Sequence, residues 1–85
     1  MKEFDYLITD AAGIHARPAG LLVKEAKKYG SRVMLSANGK ECEAVKLMSL
    51  MALCVRCGDS VHVRIEGEDE ELCEEGLKQF FKENL

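Results

Sequence analysis

The sequence lacks the features by which nucleic-acid-binding and membrane-spanning proteins are recognised. Aromatic residues make up only 6% of the chain, and no dense Lys/Arg cluster is interleaved with them, so nucleic acid is not an expected partner. No apolar run approaches the ~18 residues that span a bilayer, which excludes membrane insertion. Residues 1–5 are charged and lack the apolar core of a signal peptide, so we expect a cytoplasmic protein.

Length and charge limit what the chain can be. At 85 residues it has too little apolar surface for two cores, so we expect one domain over residues 1–85. The net charge of −3 is unevenly spread: residues 1–40 hold seven Lys/Arg and four Asp/Glu, whereas residues 41–85 hold five and eleven. The basic half suits an acidic partner, or an anionic group such as phosphate near Lys24 and Lys27.

Hydrophobic periodicity predicts the order β-α-β-β-α-β-α. Alternating apolar residues are typical of strands, and apolar positions at helical spacing are typical of amphipathic helices. The predicted strands are 3–8, 32–37, 40–44 and 60–66, and the predicted helices are 16–29, 46–53 and a last one that begins after Asp69. One apolar face on each element favours an α+β arrangement, an antiparallel sheet with all helices on one face. The other face, which carries His62 and Arg64, then meets water.

Single residues predict the turns and the helix ends. Asn38-Gly39 is the strongest two-residue hairpin signal. Pro18 fits the first turn of a helix, because its missing N–H would have no partner there. Gly30 is expected to end that helix with a positive φ, and Asp69 is expected to cap the last helix. The apolar stripe predicted for the last helix is Leu72, Cys73, Leu77, Phe80 and Phe81.

The stretch Gly13-Ile14-His15-Ala16-Arg17-Pro18-Ala19 places a histidine directly before the predicted first helix. Backbone N–H groups at a helix N-terminus have no helical partner, and the helix contributes a partial positive charge, so the two together form an anion site. A neutral imidazole is also a nucleophile that can accept a phosphoryl group, whose oxygens the nearby amides and Arg17 would hold. A histidine before a helix is also frequently only an imperfect cap, and an arginine there only a solvated charge, so the spacing alone leaves both interpretations open.

These residues resemble the active-site signature of HPr, the histidine-containing phosphocarrier of the bacterial sugar phosphotransferase system. The length, the element order, the Asn38-Gly39-Lys40 turn and the Met-rich segment 47–51 extend the likeness over nearly the whole chain. The resemblance implies an HPr-like open-faced β-sandwich, with a four-stranded antiparallel sheet and three helices on one face. It also implies a monomeric phosphoryl carrier that needs no cofactor or metal and is not a stand-alone enzyme.

The resemblance also implies a relay through His15. Its pros nitrogen would accept a phosphoryl group from phosphoenolpyruvate by way of Enzyme I and pass it to the IIA domains of sugar permeases. Arg17 would steady the phosphate, together with the backbone of Ala16 and of Arg17 itself. A carrier that docks on two partners in turn needs a modest apolar surface beside its histidine. The expected interface residues are Gly20, Lys24, Lys27, Leu47, Met48 and Met51, although the methionines would also suit simple core packing.

The sequence departs from the family pattern in three places. Lys46 stands where many members carry a regulatory serine that an ATP-dependent kinase phosphorylates, so regulation by that route is not expected. Ala12 occupies a position where a small polar residue is common. The segment Cys54-Val55-Arg56-Cys57 replaces a loop in which glycine is usual.

The cysteines permit a rival interpretation. Cys54 and Cys57 form a C-x-x-C, which in another setting indicates a redox pair or half of a zinc site. Cys42 and Cys73 are isolated, so a second pair at zinc spacing is missing, and free thiols, two or three of them buried, are expected. His62 is expected to be structural or surface-exposed, because no Cys or carboxylate lies at ligand spacing from it. A regulatory binding module of the same fold is a further alternative, although it would not need the nucleophile.

Overall fold

The computed structural model describes residues 1–85 and confirms the predicted order of strands and helices. Its elements are β1 (Lys2–Leu7), α1 (Ala16–Ala26), β2 (Arg32–Ala37), β3 (Lys40–Glu43), α2 (Leu47–Ala52), β4 (Ser60–Glu66) and α3 (Glu70–Asn84). β2 and β4 have the predicted bounds, and α3 begins directly after Asp69 as predicted. β1 and α2 differ from the prediction by one residue at both ends, β3 by one residue at its end, and α1 ends three residues early. The hairpin between β2 and β3 is also confirmed, since Asn38 and Gly39 have φ values of 53° and 76°, in the left-handed region that its tight turn requires.

The four strands form one antiparallel sheet in the order β1-β4-β2-β3. β4 and β2 are central, and Val63 of β4 is paired with Leu35 of β2, both fully buried. Since side chains alternate along a strand, one face of the sheet is apolar along β2 and β4 and carries Phe4 and Tyr6 of β1. The helices add Leu22, Leu50, Leu77 and Phe81 to the same hydrophobic core. The predicted open-faced α+β sandwich is confirmed.

The opposite face of the sheet is polar, as predicted, and His62 and Arg64 lie half-buried on it. Arg64 Nη2 lies 2.8 Å from Glu41 Oε2. The imidazole of His62 contacts two carboxylates of β1, with Nδ1 2.8 Å from Asp5 Oδ1 and Nε2 2.9 Å from Glu3 Oε1. The expectation that His62 is structural or surface-exposed is confirmed, and its carboxylate partners come from strand pairing, which puts Asp5 directly opposite it.

The junction between α1 and β2 differs from the prediction. Gly30 does not have a positive φ, and α1 already ends at Ala26. The Gly30 amide instead donates to Asp69 Oδ2 at 2.8 Å, and the Ser31 hydroxyl donates to Asp69 Oδ1. Asp69 occupies the N-cap position of α3, but it makes no side-chain cap because its carboxylate is engaged by these two groups.

The predicted apolar stripe of α3 is correct except at Leu72, which is 62% exposed. The four buried members of the stripe are Cys73, Leu77, Phe80 and Phe81. At 3.6 residues per turn these four lie on one side of the helix, and Leu72, about 100° back from Cys73, falls outside that side. Phe81 anchors the helix on β1, with its ring centroid 5.8 Å from that of Phe4 and 5.3 Å from that of Tyr6.

Candidate functional site

His15 occupies the N-cap position of α1 in an extended conformation, with φ −104° and ψ −175°. Its carbonyl accepts the first hydrogen bond of the helix, from Ala19 N at 2.9 Å. Its side chain is exposed and makes no capping hydrogen bond. The imidazole is therefore free to meet a macromolecular partner and is not occupied in stabilising the helix.

The backbone amides after His15 are free as well. The N–H groups of Ala16 and Arg17 have no hydrogen-bond partner, because helical bonding begins only with Ala19 and residue 18 is a proline. These two N–H groups lie at the positive end of the α1 dipole. Together with the exposed guanidinium of Arg17, which forms no ion pair, they can hold an anion beside the imidazole.

The loop before His15 is held in place by the loop after α2. Ile14 is buried, and its amide donates to Val55 O at 3.1 Å. Gly13 has a φ of +68°, and a Cβ added there would lie 2.3 Å from the Val55 carbonyl oxygen. Glycine is therefore required at position 13 by both conformation and space. Gly13 N also donates to Asp10 O at 2.9 Å, which closes the turn ahead of Ile14.

The end of α3 supports the same loop from the other side. The carbonyl of Leu85 accepts hydrogen bonds from Thr9 N at 2.6 Å, from Asp10 N at 2.9 Å and from the Thr9 hydroxyl at 3.0 Å. Sequence reasoning missed this contact, because it joins residues 76 positions apart and neither end carries a local signal for it.

His15 and Arg17 face a polar depression of about 250 Å³. The residues that line it are Asp10, His15, Arg17, Pro18, Leu21, Glu83 and Asn84. Asp10 and Glu83 were not singled out in the sequence. Asp10 Oδ1 accepts a hydrogen bond from Ala12 N at 2.8 Å, and Glu83 Oε2 accepts one from Gln79 Nε2 at 3.1 Å. The depression is polar and shallow in character, which suits contact with a protein-bound group better than capture of a free small molecule.

The expected interface residues of α2 lie on the surface. Met48 is 77% exposed, and Leu47 and Met51 are 40% and 38% exposed, whereas Leu50 points into the core. The methionines therefore do not serve as core packing. These three exposed side chains of α2 form what we call the apolar patch: Leu47, Met48 and Met51. Leu21 of α1 is also exposed, but it lines the depression beside His15 together with Glu83 and Asn84.

Three lysines in and just after α1, at positions 24, 27 and 28, are exposed, and two of the three are unpaired. Lys28 is held by Glu25 at 3.0 Å, but Lys24 and Lys27 form no ion pair. An added Cβ at Gly20 would meet no atom within 4 Å, so the helix surface is open at that position. Lys46 lies exposed at the N-cap position of α2.

The four cysteines separate into two kinds. Cys42 and Cys73 are buried, and burial raises the pKa of both thiols, that of Cys73 to about 11. Cys54 and Cys57 are exposed, and all four are free thiols. No group of three or more His, Cys, Asp or Glu side chains is placed to hold a metal ion. None of the helices is long and apolar enough to cross a membrane.

Comparison with known proteins places this chain and its fold in a family. The family model described as the PTS HPr component phosphorylation site matches residues 2–83. The phosphocarrier protein HPr of Mycoplasma genitalium is 38% identical over 85 residues, covering 99% of this chain and 97% of the relative. A crystal structure of HPr from Thermoanaerobacter tengcongensis matches with a TM-score of 0.93 and 34% identity, over 99% of this chain and 94% of the other.

A third match is the Bacillus subtilis catabolite repression protein Crh, whose crystal structure is described as a domain-swapped dimer. It is 39% identical, with a TM-score of 0.77, over 88% of this chain and 86% of the other. Together the matches define a class, the phosphocarriers of the phosphotransferase system. Within that class, the chain belongs to the HPr family.

Proposed function

We propose that this chain accepts a phosphoryl group from phospho-Enzyme I on the pros nitrogen, Nδ1, of His15 and passes it to IIA domains of sugar permeases. The observation that carries the proposal is the arrangement at the start of α1. An exposed, unbonded imidazole stands next to two unbonded amides and an unpaired guanidinium. The chain is a carrier in this scheme and needs no cofactor, because the partner proteins supply the rest of each active site.

The transfer follows from the geometry. The lone pair of the neutral imidazole attacks phosphorus as the bond to the donor breaks, so a P–N bond replaces the donor bond. The phosphoryl oxygens then accept hydrogen bonds from the N–H groups of Ala16 and Arg17 and from the Arg17 guanidinium. Because His15 lies on the surface, donor and acceptor reach the same nitrogen in turn.

Asp10 and Glu83 keep the phosphorylated state transferable. Both residues line the depression beside His15, and neither forms an ion pair. A phosphoryl group on the imidazole brings about two negative charges close to theirs, and like charges repel. The balance between the attraction of Arg17 and the repulsion of these carboxylates keeps phosphohistidine from becoming a stable end product.

The apolar patch and the basic residues Lys24 and Lys27 form the docking surface for both partners. Flexible methionines adapt to partner surfaces of different shape, and the unpaired ammonium groups attract acidic surfaces. Since both partners need this surface free, we expect a monomer in the cytoplasm, folded as one domain. Size-exclusion chromatography with light scattering checks the oligomeric state, and a dimer that covers the apolar patch would contradict this part.

The second candidate function is a regulatory binding module, favoured by the similarity to Crh. Such a module acts by docking alone. It would keep its full effect after His15→Ala, whereas the carrier loses its function with that substitution.

Incubation with phosphoenolpyruvate and Enzyme I tests the proposal. The wild type is expected to gain one acid-labile phosphate, His15→Ala none, and the matched control His62→Ala one. Label that persists in His15→Ala, or that disappears in His62→Ala, would show that the phosphorylated histidine has been misassigned.

A further inference from the structure

The exposed cysteines Cys54 and Cys57 share one loop, which connects α2 to β4 and belongs to neither a helix nor a strand. The two other cysteines are enclosed in the core. Any thiol chemistry of the folded protein is therefore confined to this loop. The C-x-x-C spacing puts the two cysteines within four consecutive residues. The proposed relay through His15 uses neither thiol.

Cys54 lies in a groove that suits an anionic reagent. The groove has a volume of about 350 Å³, and its lining residues are Asn38, Lys40, Leu53, Cys54, Arg56 and Asp59. The ammonium group of Lys40 is held at the end of α2 by Ala52 O at 3.2 Å, and Arg56 forms no ion pair. The one carboxylate present, that of Asp59, already accepts hydrogen bonds from Arg56 N at 3.0 Å and from Asn38 Nδ2 at 3.4 Å. With Lys40 and Arg56 against one carboxylate, the groove keeps a net positive charge that attracts an anion to the thiol.

The same loop holds the residues that precede His15. The carbonyl of Val55, between the two cysteines, accepts the Ile14 amide at 3.1 Å. The sulfur of Cys57 lies 3.7 Å from Thr9 O, and Cys54 has a φ of 55°, a left-handed conformation that costs a non-glycine residue energy. A covalent bond across Val55 and Arg56 therefore constrains the residues that position the loop of His15.

From this juxtaposition we infer that Cys54 and Cys57 form a reversible disulfide that controls phosphoryl transfer at His15. The inference rests on the proposed carrier function for its consequence, but not for the thiol chemistry. The oxidant is an anionic low-molecular-weight disulfide. The Cys54 thiolate attacks one of its sulfurs and expels the first thiolate, and the Cys57 thiolate then attacks the Cys54 sulfur of the mixed disulfide and expels the second. Two protein thiols and one disulfide become one protein disulfide and two small thiols.

The consequence follows from the geometry of a disulfide, whose Cα atoms lie within about 7 Å of each other. We expect closure of the disulfide to move the Cys57 sulfur away from Thr9 and to turn the Val55 carbonyl away from Ile14. The Ile14 amide then loses its acceptor, and His15 loses its fixed position. Displacement of a reacting group by ~1 Å can cost about a hundredfold in rate, so we expect transfer to slow by tenfold to a hundredfold.

Oxidised glutathione, an anionic disulfide, is the probe for the test. The full chain is treated with it, and three properties are followed: the intact mass, hydrogen exchange at the Ile14 amide, and the rate of phosphorylation by Enzyme I. The mass of the wild type is expected to fall by two hydrogens, and the loss is expected to map to linked peptides that contain Cys54 and Cys57. The Ile14 amide is expected to exchange its hydrogen faster, and phosphorylation by Enzyme I is expected to be slower. A thiol reductant is expected to reverse all three changes.

The matched variants separate the two sulfurs. Cys57→Ser is expected to retain one glutathione on Cys54, and Cys54→Ser with Cys57→Ser is expected to keep its transfer rate under oxidant. The inference is overturned if the wild type keeps both thiols in excess oxidant, or if the disulfide forms with the Ile14 exchange and the transfer rate unchanged. Absence of phosphorylation in the fully reduced wild type would instead contradict the proposed carrier function, because the mass and the Ile14 exchange do not depend on it.

Discussion

At the scale of single residues, the site consists of groups that the surrounding fold leaves unengaged. His15 caps its helix with a backbone carbonyl only, and the next two amides have no partner. Arg17 is exposed and packs against no apolar stripe. The local structure is stabilised by neighbouring residues instead. These are Gly13 and the buried Ile14 before the histidine and Pro18 after it. Residues that position the site and residues that perform the chemistry are therefore distinct, and substitutions should separate them.

Replacement of Arg17 should affect transfer more than folding. Arg17→Ala removes a charge-assisted hydrogen bond of about 1.5–3 kcal/mol, so we expect phosphoryl transfer to slow by about tenfold to a hundredfold. Stability should change by no more than ~0.5 kcal/mol, as is usual for exposed residues. Stopped-flow transfer rates and urea unfolding measure the two effects, with Lys82→Ala as an exposed cation away from the depression. A large loss of stability at a normal transfer rate would show that Arg17 is structural.

Substitution by alanine at two glycines of the site is expected to change stability in opposite directions. Gly13→Ala forces a side chain into a left-handed position and against the Val55 carbonyl, so we expect a loss of at least about 2 kcal/mol. Gly20→Ala lies within α1 and meets no atom within 4 Å, so we expect a gain of about 0.5–1 kcal/mol. Chemical denaturation of both variants checks the pair, and equal effects would mean that the loop is not fixed as described.

At the scale of elements, β1 depends on contacts that cross from one strand to the next. It is an edge strand paired only with β4. On the outer face, the imidazole of His62 bridges Glu3 and Asp5, two residues of β1. On the inner face, the rings of Phe4 and Tyr6 pack against Phe81 of α3. The polar contacts depend on pH, and the aromatic contacts do not.

The bridge from His62 predicts a pH-dependent contribution to stability. The hydrogen bond to Glu3, which has the larger effect, and the hydrogen bond to Asp5 raise the pKa of His62 above its usual 6.5, although the group is solvent-accessible. A raised folded pKa means that the stabilisation is fully present below about pH 6.5 and is lost as the pH rises through the folded value. The difference in unfolding free energy between wild type and His62→Gln should therefore be larger at about pH 6 than at about pH 9. Urea denaturation at the two values decides this, and a difference that grows toward high pH would contradict it.

The start of α2 predicts resistance to the family's ATP-dependent kinase. Lys46 occupies the N-cap position and offers no oxygen nucleophile, and the nearby hydroxyl of Ser49 lies about one turn further on, where the kinase would have to approach another face. We expect no phosphate on the wild type and, as the positive control, one on Lys46→Ser. Mass spectrometry after incubation with kinase and ATP locates any label. Stoichiometric modification of Ser49 in the wild type would show that the regulatory route survives at a shifted position.

At the scale of the whole molecule, the sequence predicts what local patterns determine. Periodicity was sufficient for the element order, Asn38-Gly39 for the hairpin, and the stretch around His15 for the family, whereas the role of His15 itself stays a prediction. The features it missed join distant positions. Asp69 closes the junction at Gly30 across 39 residues, and the Leu85 carbonyl holds Thr9 across 76. Such contacts form only once the sheet and α3 have packed, so no local sequence pattern predicts them.

A labelled phosphoryl group can be followed through the whole proposed relay. The chain is loaded with labelled phosphate from phosphoenolpyruvate and Enzyme I, separated from both, and mixed with a IIA domain. The label is expected on Nδ1 of His15 by nuclear magnetic resonance before mixing, and on the IIA domain afterwards, with the free imidazole restored. Label that resides on another residue, or that stays on His15 in the presence of competent IIA domains, would contradict the account.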